Sequence, residues 1–269
     1  MEVWSIMKVL KTNINGLKGV WEELAPTHFY GIFGEPNSGK SLLAYQIASQ
    51  YNSVIIATED MDYDAFSFVK NKWGSAFKEP AVVKARSLRA FLKLFGLEIA
   101  PPKKGKRGGE EEDATKSTKF EIVLNRLIEY PLIDDNGIMK NKDLLVIDSL
   151  TSPVKNTIPS GRQNMEARAA VFRALFGSLD EIAEKWMIPI ILIMHESKDP
   201  ATKYDAGRPW GGSIMMYSVK YFFQMSSASG TDWENKRVFE KKIRRRRFLG
   251  KGEDKDYHTL QIKKDYGYI

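Results

Sequence analysis

Gly34-Glu35-Pro36-Asn37-Ser38-Gly39-Lys40-Ser41 decides the fold. It reads Gly, four residues, then Gly-Lys-Ser, the pattern of a loop that cradles phosphate. The glycines permit positive φ and close approach of backbone to a ligand. Such a turn aims backbone N–H groups into a concavity suited to phosphate oxygens. Lys40 places a point charge where β- and γ-phosphates would lie. The Ser41 hydroxyl is a hard oxygen donor placed for Mg²⁺. A following helix, opened by Leu42, adds its positive N-terminal end. Gly34 through Ser41, with Leu42, form the candidate cofactor site, and ATP with Mg²⁺ is the cofactor expected there.

The flanks support this reading. His28-Phe29-Tyr30-Gly31-Ile32-Phe33 has the aromatic and β-branched content of a short strand. After the loop, Leu42, Leu43, Tyr45, Ile47 and Ala48 suit a buried helix ending near Asn52-Ser53.

The chain has 269 residues, 43% of them hydrophobic, enough for a core in one large domain with insertions. No apolar run is long enough to span a bilayer, and Met1-Glu2-Val3-Trp4 does not start a secretory signal. There are no cysteines, which excludes disulfides and cysteine-ligated metals and fits a cytoplasmic setting. The net charge of +7 permits attraction to nucleic acid without requiring it.

Strand and helix patterns then alternate. Val54–Ala57, Ala81–Ala85, Leu144–Asp148, Ile188–Met194 and Val219–Met225 read as strands. Ser87–Leu97, Phe120–Tyr130 and Met165–Trp186 carry apolar residues at helical spacing. Residues 101–118 run from a Pro/Gly/Lys block into an acidic block and read as a mobile charged insertion. Val238–Ile269 contains two strand-like stretches about a basic turn, an antiparallel hairpin. The alternation predicts an α/β fold with a mostly parallel sheet covered by helices on both faces.

Ligands of open parallel sheets bind at the carboxyl ends of strands, so three further strand ends should meet the phosphate loop. Asp148 can hold Mg²⁺ directly or through water. Glu59 is positioned to orient a water for attack on a γ-phosphate, with Asp60 as the competing base. His195-Glu196 can sense the γ-phosphate and pass that information to the following loop. Glu59, Lys40, His195 and Glu196 are thus the candidate catalytic residues, and Ser41 and Asp148 the candidate metal ligands.

In this order, these residues resemble the RecA/RadA recombinase ATPase core over most of the chain. Ala57-Thr58-Glu59 is similar to the family's strand ending in its catalytic Glu. Leu145-Val146-Ile147-Asp148-Ser149-Leu150-Thr151-Ser152 resembles the RadA form of the Walker B segment. Gly161-Arg162 with Arg168 resembles the end of the first DNA-binding loop. Arg208-Pro209-Trp210-Gly211-Gly212 with Ser218 resembles the end of the second. The resemblance implies a RecA-like P-loop fold, ATP hydrolysis, single-stranded DNA binding and a role in recombination or repair. It implies DNA loops at Ser152–Arg162 and Ser197–Gly212, phosphate contacts from Arg162, Arg168, Lys198, Lys203 and Arg208, and stacking by Tyr204 and by Trp210, with a plain core role for Trp210 as the equal alternative.

The departures shape the alternatives. There is no room for the family's N-terminal helix-hairpin-helix domain and no clear Phe-x-x-Ala linking motif. The chain therefore resembles a core-only paralogue of the RadB kind or a virus-encoded RecA-like protein. The fourth strand ends in His195-Glu196 where the family usually has Asn-Gln. The basic run Lys241-Lys242-Ile243-Arg244-Arg245-Arg246-Arg247 supplies further candidates, Arg244, Arg245 and Arg246, for a nucleic-acid backbone or a neighbour's nucleotide. Two other readings stay open: a mediator that binds a recombinase with little ATPase activity, and a RecA-like helicase module. Homo-oligomerisation is compatible with all three.

Overall fold

The computed structural model describes residues 8–18, 21–61, 63–100, 122–159, 161–197, 207–227, 238–246, 257–263 and 267–268. In chain order, a small hairpin, β1 (Leu10–Lys11) and β2 (Glu23–Leu24), precedes β3 (Phe29–Gly34) and α1 (Lys40–Ala48). Next come β4 (Ser53–Ala57), α2 (Tyr63–Trp73), β5 (Ala81–Lys84), α3 (Leu88–Leu94), β6 (Leu97–Ile99) and β7 (Leu124–Arg126). The chain continues through β8 (Leu144–Asp148), α4 (Ser152–Thr157), α5 (Met165–Trp186), β9 (Ile190–Ser197), β10 (Arg208–Pro209), α6 (Ser213–Ser218) and β11 (Tyr221–Ser227). It ends with β12 (Val238–Arg246), β13 (Tyr257–Lys263) and β14 (Gly267–Tyr268).

The central sheet runs β14-β13-β12-β11-β3-β9-β8-β4-β5. From β11 to β5 every pairing is parallel, while β12, β13 and β14 add an antiparallel edge. This is the α/β class expected, and the terminal hairpin forms as read. Strands buried on both faces must be apolar throughout, and β3, β4 and β8 are buried at every position.

Strand parity sorts the core into two layers. Phe29, Phe33, Val54, Ile56, Leu145, Ile147, Ile190, Leu192 and Phe222 face α3, α5 and α6. Tyr30, Ile32, Ile55, Val146, Ile191, Ile193 and Phe223 face α1 and the β1–β2 hairpin. On that second face Trp21 stacks on Phe223 at 4.3 Å, which closes the N-terminal segment over the sheet.

Three expectations are corrected. The helix after Ser87 stops at Leu94, because Gly96 turns the chain at φ 68 and Leu97–Ile99 leaves as a strand. Its start is as read: the Ser87 hydroxyl accepts from Ala90 N at 3.2 Å. Phe120–Tyr130 does not hold a helix among its described residues. Leu124–Arg126 pairs antiparallel with Leu97–Ile99. Ile122 and Leu124 pack on the core while Val123, between them, is exposed, a period of two that the helical spacing masked. The strand read as Ile188–Met194 begins two residues later, at Ile190, and runs further, through His195 and Glu196 to Ser197, because β10 pairs with its end. The charged insertion at 101–118 lies outside the described residues.

Phe91 is fully buried on α3 and meets Phe95 edge-on at 5.0 Å. Phe91→Ala should lower unfolding free energy by about 3–5 kcal/mol in chemical denaturation. Ile128, 96% exposed, should tolerate alanine within about 0.5 kcal/mol.

Candidate functional site

The phosphate-type loop hangs between the end of β3 and the start of α1. At Gly34 the backbone adopts φ 153, and a Cβ would sit 2.0 Å from the Met225 carbonyl oxygen of β11. Only glycine lets the two strands approach this closely. Asn37 is left-handed at φ 60 and Gly39 at φ 89, which turns the chain back into the helix. Pro36 and Asn37 form the exposed tip, whereas Ser38 is buried.

Lys40 reaches back into its own loop. Its ammonium donates to the carbonyls of Glu35 (2.6 Å) and Gly34 (3.1 Å) and to Ser38 Oγ (3.3 Å). Burial lowers its pKa, and the carboxylates of Asp148, Glu59, Glu196 and Glu35 oppose that shift. The cation thus sits on its own loop with acidic groups nearby. This is the charge distribution that a phosphate group with a divalent cation would complete.

Asp148 ends β8 on the α1 side of the sheet and is 6% exposed. Burial raises its pKa, and hydrogen bonds from Tyr45 and Ser41 partly counter it. Tyr45 Oη donates to Asp148 Oδ2 at 2.5 Å. Burial and the Asp148 charge together raise the pKa of the Tyr45 phenol, so it remains a donor. Ser41 and Asp148 therefore bring two hard oxygen donors into contact, a donor set that fits Mg²⁺. Among the described residues no group of three or more His, Asp or Glu forms a separate metal cage. Mg²⁺ uses one or two carboxylates together with substrate phosphates rather than such a cage.

Beside Asp148 the chain knots β4 and β8 together. Thr58 N donates to the Asp148 carbonyl at 2.7 Å. Thr58 Oγ1 donates to the Ser149 carbonyl and accepts from Ser149 N, each at 2.8 Å. The Asp148–Ser149 peptide is cis. This pairing carries Glu59 out over the site, where its Oε1 accepts from Ser149 Oγ at 2.9 Å and lies 3.4 Å from His195 Nε2. Asp60, the competing base, forms an ion pair with Arg86, and its side chain is 85% exposed.

His195 lies opposite Gly34 in the β3–β9 register. Its Nδ1 is 2.8 Å from Thr151 Oγ1, which also accepts from His195 N at 3.1 Å. Glu196 points to the opposite face of the strand. There it accepts from Gln224 Nε2 at 2.7 Å and packs against Gly207, where a Cβ would meet its Oε1 at 1.7 Å. The two neighbours at this strand tip therefore serve different faces.

Lys40, Ser41, Asp148, Glu59 and His195 converge. The segments expected to meet DNA lie around α4 and the start of α5. Ser152–Thr157 is helical rather than a loop, with Pro153 in its first turn, where no N–H is needed. Arg162 is exposed in a single 3-10 turn. Arg168 is half-buried, donates to the carbonyls of Pro159 (2.7 Å) and Gly161 (2.9 Å), and lies over the Trp210 ring. Trp210 meets Phe172 edge-on and is packed against the core. Arg208 is exposed on β10. Lys198, Lys203 and Tyr204 lie outside the described residues. Arg244, Arg245 and Arg246 occupy β12 opposite Gln224, Phe223 and Phe222.

Four partners were not singled out from sequence. Tyr45 is four residues after Ser41, hence on the same helix face, and that spacing could have revealed it. Gln224 is the polar residue inside Tyr221-Phe222-Phe223-Gln224-Met225, a usable signal. Ser149 and Thr151 carry no local signal, because their partners are 90 and 44 residues away.

The parallel sheet, the loop from β3 into α1 and the acid ending β8 define a RecA-like fold with a P-loop. The chain is similar in structure to a crystal structure of the RadB recombinase. The match covers 96% of this chain and 98% of that one, with a TM-score of 0.60 and 17% sequence identity. No protein-family model and no curated protein matches.

Removing the Tyr45 hydroxyl leaves buried Asp148 without one of its donors. Tyr45→Phe should lower unfolding free energy by about 1–3 kcal/mol at neutral pH in a denaturant titration.

Proposed function

We propose that this protein binds and hydrolyses ATP with Mg²⁺, binds single-stranded DNA, and acts in homologous recombination or repair. The observation that carries this reading is the meeting of Lys40, Ser41, Asp148 and Glu59 at the carboxyl ends of parallel strands. In this proposal the amides of the Gly34–Ser41 loop and Lys40 hold the phosphates. Ser41 and Asp148 hold Mg²⁺, whose bound charge offsets that developing on the transferred group. Glu59 accepts a hydrogen bond from the attacking water and orients it. Glu196, tied to Gln224 and seated against Gly207, links the end of β9 to the segment that leads to Arg208.

Arg162 and Arg208, both exposed, would contact the phosphates of the strand. The carbonyls of Pro159 and Gly161 already occupy Arg168, which suits it to shaping that surface. We further propose that residues 1–269 form a single ATPase domain and that ATP binds between copies of the chain. No helix among the described residues is long and apolar enough to cross a membrane.

Lys40→Ala should abolish ATP binding and turnover while leaving the fold intact by circular dichroism. Turnover at the wild-type rate would sink the proposal. DNA affinity measured against salt, with and without ATP, tests the second half. Arg162→Ala and Arg208→Ala should each reduce the slope of log affinity against log salt by about 0.7. An absence of binding to any single strand at low salt would instead favour the mediator reading.

A further inference from the structure

We propose that His195 is a positioning residue for Glu59, and that Thr151 sets the tautomer in which it does so. This rests on the reading of Glu59 as the residue that orients the attacking water.

Thr151 is fully buried, so its hydroxyl must find its partners within the protein. The oxygen accepts from the backbone N–H of His195 at 3.1 Å and lies 2.8 Å from the Nδ1 of the same residue. A hydroxyl carries one proton. If Nδ1 were protonated, Thr151 would accept twice from His195 and its own proton would have no use at the ring. With Nδ1 unprotonated, the hydroxyl donates to it and both directions of the pair are satisfied. The ring proton of the neutral imidazole then lies on Nε2.

Nε2 faces Glu59 Oε1 at 3.4 Å, a gap that a small rotation of either side chain closes. The same oxygen accepts from Ser149 Oγ at 2.9 Å, and Ser149 Oγ is itself held by Ser152 N at 3.1 Å. Two donors, each fixed by the turn after β8, thus converge on one oxygen of Glu59. They fix the orientation of the carboxylate and present Oε2 to a water. Burial also lowers the His195 pKa, in keeping with a neutral ring. The turn that follows the metal-side acid of β8 therefore also sets the aim of the acid after β4.

The test uses ¹⁵N-histidine NMR on the nucleotide-free full chain. The chain has three histidines, and His195→Gln assigns the signal. The expected result is a neutral His195 with the proton on Nε2. Thr151→Val should release that tautomer and lower kcat for ATP roughly 10- to 100-fold with little change in KM. Thr151→Ser should restore both. A proton on Nδ1 in the wild type, or a tautomer unchanged by Thr151→Val, overturns the inference. If Thr151→Val does not fold, the wild-type tautomer alone decides. Glu59→Gln separates the two readings: turnover that survives it overturns Glu59 as the orienting residue, while the tautomer still decides the role of Thr151.

Discussion

The Asp148 carboxylate, buried beneath α1, is the constraint on which the site depends. A charge taken out of water is costly unless it is hydrogen-bonded or paired. Here Tyr45 and Ser41 supply donors from one face of α1, and the Lys40 ammonium supplies the opposite charge nearby. Satisfying Asp148 therefore fixes how α1 sits over β8. The same requirement places the phosphate loop, because that loop is the direct entry to α1. The backbone of Asp148 anchors the next strand end, since its carbonyl accepts from Thr58.

Parity of the strands divides the labour at the sheet's edge. Successive side chains on a strand point to opposite faces. Asp148 and His195 fall on the α1 face, with the phosphate loop. Glu196 falls on the other face, beside Gln224 of β11 and the glycine that begins the described part of the following segment. A single strand tip thus presents His195 to Thr151 and Glu59 on one side and Glu196 to Gln224 and Gly207 on the other.

Much of this was legible in the sequence. The strands β3, β4 and β8 are short apolar runs bounded by polar turns, and burial on both faces makes them easy to read. The Gly-x-x-x-x-Gly-Lys-Ser loop is local, so its spacing carries its geometry. The segment around Ile122 and Leu124 was misread because short apolar spacings fit a helix and a strand alike. Its pairing with Leu97–Ile99, across the charged insertion, settles the matter, and no local pattern reports such a pairing. Tyr45 shows the intermediate case: its helical position was clear, but its partner lies 103 residues away.

By itself the sequence determined most of the alternation of strands and helices, the phosphate-type loop, and the acids and His195 at or near the ends of three strands. These depend on local spacing and on which residues burial tolerates. Only the tertiary structure decided which carboxylate faces the loop, since Arg86 draws off Asp60 and Ser149 holds Glu59. It alone decided that His195 and Glu196 serve opposite faces and that Thr151 grips the imidazole. Those choices rest on hydrogen bonds between strands adjacent in the sheet but distant in the chain.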